Sequence, residues 1–155
     1  DAEAQYNLGW MYSNGEGVES DETVTAQWFQ KAADQGHIKA LYNLGVMYRD
    51  GVGVPQDDIK SADYLLKAAD QGYAPAQFNL GTLYFEGRGV PQDDIKAADY
   101  FLKAADQGVA DAQYNIGYMY YHGRGVAQDT NIAKEWLKKS ANQGFKAAQE
   151  SLSAM

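Results

Sequence analysis

Few residues of this chain have types and spacings that could do chemistry. Two pairs of adjacent acids, Asp57-Asp58 and Asp93-Asp94, could share general acid and base work or hold a metal. Four glycine-rich stretches, at 15–21, 51–57, 87–93 and 123–129, could cradle a phosphate. There are two histidines, His37 and His122, and no cysteine. None of these withstands a reading of its context. The acid pairs stand where a helix is expected to begin, and there a carboxylate accepts orphan N–H groups and faces the positive end of the helix dipole. A phosphate cradle follows a strand and often carries a lysine, whereas these loops follow a helical pattern and lack the lysine. The histidines are far apart, no pair has metal-ligand spacing, and no serine sits in a nucleophile elbow. The expectation is a non-enzymatic protein with no catalytic residue, no cofactor and no metal.

What these residues share is a register. Gly9, Gly45, Gly81 and Gly117 recur every 36 residues, and most of their surroundings recur with them. A period of that size marks supersecondary units that bury their apolar faces only by stacking on one another. In the first unit, Ala4, Leu8, Met11 and Tyr12 form the stripe of an amphipathic helix A over roughly 2–13. Trp28, Phe29, Ala32 and Ala33 form that of a helix B over about 22–35. Tyr12, Tyr48, Tyr84 and Tyr120 are assigned to the buried stripe of helix A. Asp21, Asp57, Asp93 and Asp129 are the expected N-caps of helix B, and Gly36, Gly72, Gly108 and Gly144 its C-terminal glycines. A glycine inside helix A costs roughly 0.5–1 kcal/mol against alanine, so four of them imply close approach of another helix.

The residues quoted so far match a known family. Ala-Gln-Tyr-Asn-Leu-Gly-x-Met-Tyr in helix A, Gly-x-Gly-Val-Pro-Gln-Asp in the loop and Trp/Tyr-x-x-Lys-Ala-Ala-x-Gln-Gly closing helix B resemble Sel-1-like repeats over essentially the whole chain. These are variants of the tetratricopeptide repeat with a longer inter-helix loop. The resemblance implies an all-α fold, an α-solenoid coiled as a right-handed superhelix, with helices A lining a concave groove. It also implies an adaptor role, since such proteins serve bacterial signalling, envelope and host-interaction pathways and eukaryotic protein quality control. Some bacterial members look like inhibitors or immunity proteins that cap a partner enzyme or toxin, which is the competing expectation.

The expected organisation is one domain over 1–155. It has repeats at about 1–36, 37–72, 73–108 and 109–144 and a capping helix at 145–155, where Glu150 and Ser153 replace an aromatic residue and a glycine. The chain does not begin with Met and starts near the beginning of a repeat, so it reads as a piece of a longer protein whose compartment is left open. With 13 Lys and Arg against 21 Asp and Glu, a formal charge of −8, it lacks the basic patch that nucleic acid or anionic lipid requires. No run of 18 apolar residues is present to span a membrane. The expected partner is a protein or peptide, bound by a monomer.

With Leu8 facing the core, the opposite face of helix A would line that groove. Its columns vary while the scaffold columns do not. Trp10 becomes Val46, Thr82 and Tyr118; Ser13 becomes Arg49, Phe85 and Tyr121. Asn7, Asn43, Asn79 and Asn115 form a constant column on the flank, open to two uses: a tie to a neighbouring helix or an amide ladder for a peptide backbone. The predicted partner-binding residues are Trp10, Asn43, Val46, Arg49, Asn79, Thr82, Phe85, Asn115, Tyr118 and Tyr121.

Overall fold

A computed structural model describes residues 1–155 as nine α-helices and no strand. They are α1 (Ala2–Asn14), α2 (Glu22–Ala33), α3 (Ile38–Asp50), α4 (Asp58–Asp70), α5 (Ala74–Glu86), α6 (Asp94–Asp106), α7 (Ala110–His122), α8 (Thr130–Asn142) and α9 (Lys146–Ala154). Odd-numbered helices are the A type and even-numbered ones the B type. Contacts group the chain into two compact units, Asp1–Ala76 with Arg88–Val90, and Gln77–Gly87 with Pro91–Met155. In the first, α1 packs on α2, α2 on α3 and α3 on α4; in the second, α6 packs on α7, α7 on α8 and α8 on α9.

The loop motif has a reason at each residue. The first glycine adopts a left-handed conformation that ends helix A, as at Gly51 with φ 69°. The aspartate donates its backbone N–H back to the helix A tyrosine carbonyl: Asp57 to Tyr48 at 2.9 Å, Asp93 to Tyr84 at 3.0 Å, Asp129 to Tyr120 at 2.9 Å. Its side chain then caps helix B, accepting from Lys60 and Lys96 N–H groups at 3.0 Å in α4 and α6. The glutamine before it donates its side-chain amide to the last carbonyls of helix A, Gln56 to Arg49 and Gln92 to Phe85. Asp21 and Asp129 cap α2 and α8 in the same way.

The second acid of each pair does more than complement the dipole. Arg88 holds Asp58 with two bonds, the shorter at 2.9 Å, and Arg124 holds Asp94 with two, the shorter at 2.8 Å. Each arginine lies in the loop of one repeat and its aspartate begins helix B of the repeat before, so the pair fixes repeat to repeat. Bidentate geometry of this kind is the strong form of the interaction.

Gly81 is where helix A meets helix B of its own repeat. A Cβ there would lie 2.8 Å from the Phe101 ring, and at Gly45 2.7 Å from Leu65. Around Phe101 the second unit buries Ala97, Ala104, Ala112, Ile116 and Met119.

Two expectations about burial are corrected. Leu8 and Met11 were assigned to the core stripe, yet Leu8 is 36% exposed and Met11 is exposed, whereas the equivalent Leu44 is 1% exposed. In α3 that face is covered by α2, whose Ala26, Gln27 and Gln30 surround Leu44. On the opposite face, Tyr6 is buried, stacked on Phe29 and His37. The helix A tyrosines assigned to the core are only half-buried: Tyr48 and Tyr84 lie flat on Tyr64 and Tyr100 of helix B, with centroids 5.6 and 5.9 Å apart.

Ser61 in α4 is fully buried and its hydroxyl has no partner. The equivalent Thr25 bonds the Asp21 carbonyl, and the other repeats place Ala97 and Ala133 there. Ser61→Ala is therefore expected to raise stability by about 1 kcal/mol, by removing an unpaid desolvation cost. A denaturation midpoint lower than the parent's would contradict this.

Candidate interaction surface

Each unit carries concavities on the A-helix face, at one place in the repeat. In the first unit a cavity of about 200 Å³ is lined by Trp10, Ser13, Phe29, Asn43, Val46 and Met47, among others. In the second unit one of about 50 Å³ is lined by Phe85, Phe101, Asn115, Tyr118 and Met119. A neighbouring one of about 250 Å³ is lined by Tyr114, Tyr118, Tyr121, His122, Leu137, Ser151, Ala154 and Met155. In the 36-residue register the linings coincide: Ser13, Phe85 and Tyr121 are equivalent, as are Phe29, Phe101 and Leu137, Asn43, Asn115 and Ser151, and Val46, Tyr118 and Ala154. The floor is the helix B residue that faces the helix A glycine. The walls are the variable columns, and their bulk sets the space. Val46 and Ala154 leave room, while Tyr118 together with Phe85 nearly fills theirs.

The site residues expected from sequence divide among these places. Trp10, Asn43 and Val46 meet in the first-unit cavity. Phe85, Asn115 and Tyr118 meet in the smaller second-unit cavity, and Tyr118 and Tyr121 in the larger. Trp10 is 42% exposed, with its ring edge-on to Tyr6 and Phe29, and Tyr118 and Tyr121 are each 39% exposed. Phe85 is half-buried, against Phe101 and beneath the Arg124 guanidinium. Arg49 turns its guanidinium onto Asp50 at 2.7 Å, which holds the Asp50 carboxyl below its ordinary pKa, chiefly through that hydrogen bond. Thr82 bonds back to the Phe78 carbonyl of its own helix, and neither it nor Asn79 lines these cavities.

The asparagine column serves scaffold in at least one repeat. Asn43 donates to the Tyr6 hydroxyl at 3.5 Å. Phe78 stands at the place of Tyr6 for Asn115, so no hydroxyl is offered there. The floor residues Phe29, Phe101 and Leu137 and the wall residues Met47, Met119 and Met155 were missed, because a periodic apolar position reads as core. Their common register with the variable columns was the available signal. No group of three His, Cys, Asp or Glu side chains is placed to hold a metal. No helix is long and apolar enough to cross a membrane.

Paired helices with a shared loop device, and variable walls on an invariant frame, define an α-solenoid repeat protein of the tetratricopeptide kind. The chain belongs to the Sel1 repeat family: the family model matches residues 2–37, 38–73, 74–109 and 110–145.

Among solved structures, it superposes on c5321, a protective antigen of uropathogenic Escherichia coli strains displaying an SLR fold, with TM-score 0.97 and 40% identity over 100% of this chain. A Sel1 repeat protein from Oxalobacter formigenes matches with TM-score 0.93 and 35% identity over 98%. Helicobacter pylori cysteine rich protein B matches with TM-score 0.63 and 28% identity, over 82% of this chain and 96% of its own. The chain spans 33% of the E. coli protein and 63% of the O. formigenes protein. No curated protein matches it.

Proposed function

We propose that this chain is a non-enzymatic adaptor module that binds an extended segment of a protein partner on the face of its A helices. The observation that carries this reading is the recurrence of one cavity position with different walls. A scaffold that only had to stack would have no use for exposed Trp10, Tyr118 and Tyr121, because solvated aromatics cost stability and are the usual anchors of interfaces. Side chains of the bound segment enter the cavities, and the asparagine amides that are not tied to a neighbouring ring take its backbone. The net charge of −8 favours partners with basic segments through long-range steering.

Selection of peptides from a random displayed library on the immobilised chain tests this. Peptides are expected to be recovered, and the paired substitution Tyr118→Ala and Tyr121→Ala, or Trp10→Ala, to weaken those that use its unit about tenfold or more. Melting curves check that the variants stay folded. The control is Ile59→Ala with Ile95→Ala, which removes exposed isoleucines from the first turn of α4 and α6 and leaves the A-helix face untouched. Loss of binding in that control alone would move recognition to the B helices. A folded enzyme bound one to one, with no peptide selected, would replace the adaptor reading by that of an inhibitor.

A further inference from the structure

Of the loops at 51–57, 87–93 and 123–129, two send an arginine back to the acid that begins the preceding B helix. Arg88 holds Asp58 and Arg124 holds Asp94, whereas the equivalent residue of the loop at 51–57 is Val52 and the acid it would meet is Glu22. That loop still docks as the others do: Gly53 lies against the Glu22 carbonyl as Gly89 and Gly125 lie against those of Asp58 and Asp94. Only the arginine is missing. Val52 is 43% exposed, and the exposed Glu22 carboxylate pairs with no cation of the chain. From this we infer that the cavity between α1, α2 and α3 takes the guanidinium of an arginine from the bound segment, paired with Glu22 and laid against the Trp10 ring. The inference rests on the A-helix face being the binding surface and names the side chain that this part of it selects.

The second unit contains the filled version of this place. There Arg124 pairs with Asp94 while its guanidinium lies 4.0 Å from the Phe85 ring centroid, and the cavity beside them measures about 50 Å³. The equivalent cavity of the first unit measures about 200 Å³ and is lined by Glu22 and Trp10. Three replacements in the same register account for the room: Ser13 for Phe85, Val46 for Tyr118 and Val52 for Arg124. The same set of helices surrounds both cavities, so residue type sets the opening. An aromatic ring is still offered, because Trp10 stands where the second unit has Thr82, one turn earlier on the A helix. Tryptophan is the best of the aromatic side chains at holding a cation over its face.

The lining suits arginine in particular. A carboxylate can take two parallel N–H bonds from a guanidinium, as Asp58 and Asp94 already do, and an ammonium cannot match that fork. Asn43 donates its amide to the Tyr6 hydroxyl, which leaves its carbonyl oxygen to accept a further N–H. Phe29, Val46 and Met47 offer apolar surface to the methylene stem. No lysine or arginine lines the cavity. Two cations on its helices are engaged elsewhere: the Lys31 ammonium lies 4.0 Å over the Trp28 ring, and Arg49 is turned onto Asp50. A negative charge without a partner therefore stands beside an exposed π face.

Nuclear magnetic resonance of the isotope-labelled chain tests the inference, with capped Gly-Arg-Gly as probe and the lysine, citrulline and norleucine peptides as comparisons. The arginine peptide is expected to shift the Trp10 indole N–H and the Asn43 side-chain amide. It should bind about tenfold tighter than the citrulline peptide, with affinity falling as salt is added. Glu22→Gln is expected to lose that margin. Val52→Arg supplies the missing arginine from within the chain, so it is expected to abolish the response while leaving the melting temperature unchanged or higher. Equal or tighter binding of the lysine or norleucine peptide at the same signals would overturn the arginine assignment and leave the A-helix surface standing. Arginine binding undisturbed by either variant, with both folded by their melting curves, would overturn it too. If no peptide moves these signals at millimolar concentration, the assignment falls. Peptides selected from the library then decide separately whether the A-helix surface falls with it.

Discussion

Gly89→Ala is expected to cost the fold about 3 kcal/mol, far more than one methyl group in a half-buried loop suggests. Two penalties combine. Gly89 has φ +68°, a left-handed conformation that costs an L-residue with a Cβ about 1–2 kcal/mol. The new Cβ would also run into the backbone carbonyl of Asp58, at the start of α4. That obstacle is main chain, so no rotamer change relieves it, and overpacking of this kind costs typically about 1–3 kcal/mol. The loop has to retreat, which also draws Arg88 away from Asp58. Gly108→Ala separates the two terms. Gly108 has φ +91° and nothing within 4 Å of an added Cβ, so only the conformational cost of about 1 kcal/mol is expected. Denaturation of both variants, followed by circular dichroism, measures the difference. Equal losses would mean that the loop docks less tightly on α4 than the geometry requires.

Phe101→Ala is expected to cost about 4 kcal/mol, in the range for removing a fully buried aromatic side chain. Phe101 packs against Phe78 and Phe85 and forms the floor beneath Asn115 and Tyr118. Its loss thus opens the A-helix face as well as the core. Phe101→Leu is the informative companion. Leucine already fills this position as Leu65 and Leu137, so about 1 kcal/mol is expected. Gly81 adds a further check, because a Cβ there meets the Phe101 ring. Gly81→Ala should be costly in the parent and much cheaper beside Phe101→Ala, a non-additivity expected of residues in direct contact. Additive losses would show that Gly81 is retained for some reason other than room for this ring.

These variants touch positions that differ in how plainly the chain announced them. Gly81 was legible as a point of close approach, because a mid-helix glycine has a cost that only packing offsets. Asp57 and Asp93 were legible as caps, because a cap depends on neighbours within three residues. Asp58 and Asp94 were read correctly as helix-start acids and incompletely as partners. Their arginines lie 30 residues on, and nothing local links the two. Leu8 was misread for the opposite reason. Its type fits the stripe that Leu44 obeys, but burial is decided by the helix packed on that face, as α2 is on Leu44, and not by the residue alone. His37 was set aside as a lone histidine. It instead caps α3, with Nδ1 accepting from the Ala40 N–H at 3.2 Å and Nε2 meeting Glu3 at 3.0 Å.

By itself the sequence determined the all-α class, the 36-residue repeat, the helix boundaries to within about two residues and the family. All of these follow from interactions within one repeat, which the chain writes out four times. The tertiary structure decided which faces are covered, which arginine meets which acid, and how much space each variable residue leaves beside its floor. Those depend on the packing of one helix against another, where a single side chain such as Tyr118 or Val46 separates a filled position from an open one.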